Sequence, residues 1–211
     1  MSLIYVLGWK RFERVNIMSK LIEFYFDVGS PASYLAWTQL PSLADRNHAE
    51  IVYKPMLLGG VFKATGNQSP AAIPAKGRYM LIDLRRAAAV YAVAMNFNPY
   101  FPVNTLMLMR GAVGYLDTPR FHDYLSAIFT ALWVNEKNMA DPAVVSAVLS
   151  EAGFDPAEVV ALCDDDAVKD RLKAITNEAI SRHVFGAPTC FVDDEMFFGQ
   201  DRLDFLERAL G

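Results

Sequence analysis

Thiol, imidazole and excess positive charge are all scarce in this chain of 211 residues. Its two cysteines, Cys163 and Cys190, lie far apart with no C-x-x-C pair, which excludes a disulfide framework and a zinc-binding cysteine signature. So few thiols suit a cytoplasmic setting, where they stay reduced. The three histidines, His48, His122 and His183, are scattered without metal-ligand spacing such as H-E-x-x-H. No G-x-S-x-G elbow is present, which argues against a serine hydrolase. Twenty basic residues against 24 acidic ones give a net charge of −4, so no whole-protein attraction to nucleic acid or anionic lipid is expected. No apolar run approaches the ~20 residues that span a bilayer. Residues 2–9 are apolar, but Lys10, Arg11 and Arg14 follow rather than precede them, the reverse of a signal peptide.

What is present is an ordinary globular composition, 53% hydrophobic and 21% charged, in a chain long enough to bury a sizeable core. Residues 21–27 (LIEFYFD) read as a strand that runs into Gly29-Ser30-Pro31. Ser30 followed by Pro31 is an N-cap followed by an N1 proline, and starts a helix to about residue 47 that Pro41 kinks or breaks. Residues 50–54 form a second strand, so the first unit is βαβ with a parallel pair. Helical patterning then covers 78–95, 105–115, 119–133, 142–152, 156–163 and 167–185, with Asp141-Pro142 and Asp155-Pro156 as further cap-plus-proline starts. Residues 189–192 and 195–198 flank Asp193-Asp194 as a β-hairpin, and a last helix spans 202–210. The order is βαβ, a long helical block, then ββα. We therefore expect an α/β, thioredoxin-like fold with a large all-helical insertion between its halves. The expected division is an N-terminal extension over 1–19, a discontinuous thioredoxin-like domain of 20–72 and 186–211, and an insertion over 73–185.

In that architecture the reactive group sits at the start of the first helix. Here the position holds Ser30-Pro31-Ala32-Ser33, so thiol–disulfide exchange is excluded. What remains is a helix N-terminus with a hydroxyl, which favours an ionised sulfur brought in by a ligand. Taken alone, Ser30 reads first as an ordinary N-cap. Ala187-Pro188-Thr189 precedes the hairpin, either as a turn proline or as a cis-proline presenting the Ala187 backbone to an extended ligand. Gly199-Gln200-Asp201-Arg202 opens the last helix, where Asp201 is a cap or an acceptor for a ligand ammonium group. Residues 57–67 contain Gly59-Gly60 and Lys63 but lack the spacing of a phosphate-binding loop, and Lys63 is a solvated lysine or a partner for a carboxylate.

The ordered segments Phe26-Asp27-x-x-Ser30-Pro31-x-Ser33-Tyr34-Leu35, Lys54-Pro55-x-Leu57 through Asn67, Lys76 through Met80, Phe101 through Thr105, Phe185 through Thr189 and Gly199 through Leu203 together resemble the 2-hydroxychromene-2-carboxylate isomerases. These are relatives of kappa-class glutathione transferases and of the disulfide oxidoreductase DsbA. The resemblance implies a glutathione-dependent cis–trans isomerase of an aromatic enone, acting in aromatic-hydrocarbon degradation. It implies that Ser30 bonds the glutathione sulfur. Ala187 and a cis Pro188 would hold the cysteinyl part, Gln200 and Asp201 the γ-glutamyl end, and Lys63 a carboxylate. It also puts Tyr34, Asn104 and Arg85, within the region around residues 76–86, near the aromatic substrate, and suggests a homodimer. Ala32 departs from the bulkier residue usual at that position. A kappa-like transferase or peroxidase, which consumes glutathione, and a non-catalytic thioredoxin-like binding module are the competing readings.

Overall fold

The computed structural model describes residues 20–211; the expected extension over 1–19 lies outside the described residues. A four-stranded mixed sheet in the order β2-β1-β3-β4 forms the centre. β1 (Leu21–Phe26) runs parallel to β2 (Glu50–Pro55) and antiparallel to β3 (Thr189–Val192), which pairs with β4 (Glu195–Phe198). The parallel pair is linked by α1 (Pro31–Arg46), as a βαβ unit requires. α1 runs unbroken through Pro41, which is exposed. Between β2 and β3 come α2 (Leu58–Thr65), a 3-10 turn (Pro70–Ala72), α3 (Pro74–Val90), α4 (Leu106–Tyr115), α5 (Phe121–Trp133), α6 (Pro142–Glu151), α7 (Pro156–Asp164) and α8 (Asp166–Ser181). A 3-10 turn (Gln200–Arg202) and α9 (Leu203–Leu210) close the chain. No helix among the described residues is long and apolar enough to cross a membrane.

The alternation of β1 decides what each side of the sheet packs against. Phe24 and Phe26 stack on each other at 5.0 Å, and Phe26 reaches Phe129 of α5. Glu23 and Tyr25 face the other way and meet Glu178 and Arg182 at the end of α8. The core continues through Leu35, Leu40, Met56, Met109, Leu125 and Trp133, all fully buried. It runs from the sheet into the helical block.

Three helices differ from the sequence expectation. The stretch with Gly59-Gly60 is a helix rather than a loop. Its first-turn N–H groups find acceptors far away in the chain: Leu58 N–H donates to the Asp27 carboxylate at 2.9 Å and Leu57 N–H to the Thr176 hydroxyl at 3.0 Å. No local cap announces such a start. α3 begins at Pro74 and stops at Val90, short of residue 95, where Ala92 takes a left-handed φ of 54°. α8 likewise ends at Ser181, with His183 at φ 63°.

Candidate functional site

Four backbone groups and one carboxylate clamp the turn between β1 and α1. The Asp27 carboxylate accepts from Gly29 N–H at 2.9 Å, from Leu58 N–H at 2.9 Å and from the Thr105 hydroxyl at 3.1 Å. Val28 N–H points at Met109 Sδ at 3.3 Å, and the Trp133 indole donates to Val28 C=O at 2.8 Å. Burial pushes the Asp27 carboxyl up from its ordinary range, and its three donors offset part of that shift. Gly29 is needed here: a Cβ would come within 2.7 Å of Thr105 Cγ2. The helical block thus fixes the turn that carries Ser30.

Ser30 caps α1 by accepting from Ser33 N–H at 3.1 Å, and its hydroxyl donates to Ala187 C=O at 2.9 Å. It is 5% exposed. Pro31 has no N–H, Ser33 N–H goes to the Ser30 hydroxyl and Tyr34 N–H to Ser30 C=O at 3.1 Å. Ala32 N–H is then the first-turn donor not taken up among the described residues. The Ala187–Pro188 bond is cis, as is Phe101–Pro102, which the sequence did not signal. Pro188 C=O accepts from Gly199 N–H at 2.9 Å, so the proline is tied to the segment that carries Gln200. Tyr91, the C-cap of α3, donates its hydroxyl to Gln200 C=O at 2.6 Å.

These elements open onto one cavity of about 790 Å³, within the roughly 300–1,000 Å³ range of small-molecule sites. Ser30, Ala187, Gln200 and Asp201 line it together. Phe62, Ile73, Met80, Leu84, Phe101 and Val103 give it an apolar wall, and Lys76 and Asp83 of α3 join them. Pro188 is buried behind Ala187 rather than in the lining.

The remaining expected site residues lie elsewhere. Tyr34 is in the core, its hydroxyl donating to Ala94 C=O at 2.7 Å and its ring 5.8 Å from that of Phe129. Asn104 is exposed, and its side-chain oxygen accepts from Leu106 N–H at 3.1 Å at the start of α4; its neighbour Thr105 lines the cavity instead. Arg85 and Lys63 are exposed outside the lining, Lys63 in the last turn of α2, where the helix dipole favours a cation. Sequence reasoning missed Asp27 as a structural anchor, although an acid ending a hydrophobic strand was a visible signal.

Both cysteines are free and buried. Burial pushes the Cys163 thiol up to about 11 and the Cys190 thiol up to about 12. Among the described residues no group of His, Cys, Asp and Glu is arranged to hold a metal. What the cavity offers chemically is a helix N-terminus with a spare N–H, a hydroxyl and an apolar wall. That donor set fits a thiolate.

A family model described as a DSBA-like thioredoxin domain matches residues 21–211. The 2-hydroxychromene-2-carboxylate isomerase of Sphingobium xenophagum is 33% identical over 199 residues, covering 92% of this chain and 99% of the relative. Glutathione S-transferase kappa 1 of Rattus norvegicus is 27% identical over 206 residues, covering 91% of each. A solved structure of a 2-hydroxychromene-2-carboxylate isomerase superimposes with a TM-score of 0.81 at 32% identity, over 90% of this chain and 94% of that one.

Proposed function

The chain belongs to the DsbA-like thioredoxin family that also holds 2-hydroxychromene-2-carboxylate isomerases, and we propose that it is a glutathione-dependent cis–trans isomerase of an aromatic enone bearing a carboxylate. The observation that carries the reading is the hydroxyl of Ser30 at the N-terminus of α1, hydrogen-bonded to Ala187 C=O in the lining of a cavity with an apolar wall. When bound, glutathione would supply a thiolate able to add to the enone, so that rotation about the former double bond becomes free, and then to leave.

The residues of the chain do the rest. Ser30 and the Ala32 N–H hold negative charge at the helix end, where the dipole adds to their effect and lowers the pKa of a thiol placed there. The Ser30 proton now points to Ala187 C=O. A ligand N–H arriving at that carbonyl would free the hydroxyl to turn toward sulfur, one hydrogen bond exchanged for another. Gln200 and Asp201 are proposed to take the γ-glutamyl end, with Pro188 and Tyr91 fixing the segments on which the binding groups sit. Lys63 falls outside this reading. The apolar wall excludes water from the face where the aromatic ring would lie. A homodimer and a cytoplasmic location complete the proposal.

The test is to incubate the full chain with 2-hydroxychromene-2-carboxylate and a trace of glutathione while following both interconversion and free thiol. Many turnovers per glutathione with the thiol pool unchanged are expected. Stoichiometric loss of thiol would instead assign a conjugating activity like that of the kappa transferases, and no turnover with any glutathione would overturn the reading.

A further inference from the structure

One buried hydroxyl has no partner. Among the described residues, Ser33 Oγ is the one buried side-chain nitrogen or oxygen without a hydrogen bond, and the residue is 0% exposed. A buried hydroxyl left unpaired is costly and alanine is a better helix former, so nothing in the packing favours serine over alanine here. Ser33 is the third residue of α1 and does not line the cavity. The usual task of a polar side chain at this position, accepting from the N–H of the cap residue, is closed to it, because Ser30 N–H donates to Asp27 C=O at 3.0 Å. Its link to the cavity runs through the Ser30 side chain instead. Ser33 N–H donates to Ser30 Oγ at 3.1 Å, and residues three apart share a helix face. A hydroxyl has one proton to give and two lone pairs that accept. Ser30 gives its proton to Ala187 C=O at 2.9 Å and uses one lone pair on Ser33 N–H. Its second lone pair is open, and Ser33 has an unused O–H.

We propose that Ser33 is a positioning residue for the thiolate: when Ser30 turns its proton to a ligand sulfur, the Ser33 hydroxyl donates to Ser30 Oγ and strengthens that bond. The inference rests on the reading of Ser30 as the group that meets the glutathione sulfur. Two hydrogen bonds into Ser30 Oγ polarise its O–H, since bonds in a chain reinforce one another and do so most where water is excluded. They also hold the Ser30 side chain in one orientation, because both donors belong to a single residue of a regular helix. No proton changes hands: each serine keeps its own, and the sulfur keeps its negative charge. The orphan hydroxyl is then paired in the ligand-bound arrangement, where it contributes to holding the thiolate.

The test reads the pKa of bound glutathione from the ultraviolet absorbance of its thiolate, using the full chain as wild type, Ser33→Ala, Ser30→Ala and the double variant. Ser33→Ala is expected to raise that pKa by about 0.5, roughly a threefold loss of ionisation. S-methylglutathione, which has no thiol, should bind wild type and Ser33→Ala equally. Adding Ser33→Ala to Ser30→Ala should change nothing further, because Ser33 acts only through Ser30. Without glutathione, Ser33→Ala should unfold at the same urea concentration as wild type or a higher one. An unshifted pKa in Ser33→Ala overturns the inference, as does a shift that persists in the Ser30→Ala background. Lower stability in Ser33→Ala, or an equal loss of affinity for S-methylglutathione, would mark a merely structural serine and overturn it too. A wild type that fails to lower the thiol pKa at all would overturn the reading of Ser30, and the inference with it.

Discussion

On one face of the sheet, Glu23, Tyr25, Lys54, Glu178 and Arg182 answer one another; around the cavity, Ser30 and Ala32 keep capacity that the protein does not use. In the first group Lys54 lies 2.9 Å from Glu178 and Arg182 2.7 Å from Glu23. The Tyr25 hydroxyl donates to Glu178 at 2.7 Å and accepts from Arg182 at 3.1 Å, while the Arg182 guanidinium stacks over Phe191 at 3.7 Å. Every charge there has a counter-charge from another element, so the cluster fastens the C-terminal end of α8 to β1 and β2. The cavity group has a hydroxyl aimed at a carbonyl that a ligand can also use and a spare N–H. Partly buried polar groups that are completely paired report architecture, and those left open report ligand chemistry.

The contrast breaks most sharply at Ser30. Ser30→Ala should lower turnover about a hundredfold, by analogy with the loss of one donor to a developing negative charge. Loss of its cap should cost only about 1 kcal/mol in a denaturant titration. A stability loss with full turnover would reduce Ser30 to a helix cap.

Asp27 bridges the two groups in character, being fully paired yet in the cavity wall. Asp27→Asn would turn an amide N–H toward one of its three donors and should destabilise the fold by roughly 1–3 kcal/mol in urea unfolding. Because burial raises the Asp27 pKa in the folded state, its contribution is greatest at low pH and declines as pH rises from 3.8 through the folded value. The variant should lack that decline, and a slope identical to wild type would contradict the assignment.

Glu178 has the opposite sign. Burial opposes its ionisation, but hydrogen bonds from Lys54 and Tyr25 and the charges of Lys54 and Arg182 win, holding its carboxyl below the ordinary 4.5. Its contribution is present above pH 4.5 and is lost as pH falls through the folded value. With its side chain 37% exposed, Glu178→Gln should cost only about 1 kcal/mol at neutral pH and leave glutathione binding unchanged. The smallest effect belongs to Lys63→Ala, expected within about 0.5 kcal/mol in stability and without change in glutathione affinity. A weakened affinity there would return Lys63 to the site.

Much of the fold was readable because its signals are local. Ser30-Pro31, Asp141-Pro142 and Asp155-Pro156 each cap the helix they announce, and the alternation around Asp193-Asp194 is the hairpin of β3 and β4. The miss at α2 is physical: its starting N–H groups are satisfied by Asp27 and Thr176, which local patterning cannot connect. In the site, Ser30, Ala187, Gln200 and Asp201 were legible as motif residues and converge on one cavity. Tyr34 and Asn104 belong to the same motifs but serve the core and the start of α4.

The most direct measurement is a calorimetric titration of the full chain with glutathione at neutral pH, repeated in two buffers of different ionisation enthalpy to count protons released. Binding accompanied by release of close to one proton is predicted, since Ser30 and the α1 N-terminus would hold the sulfur as a thiolate. Binding with no proton release, or none at all, would contradict the claim that this site ionises glutathione.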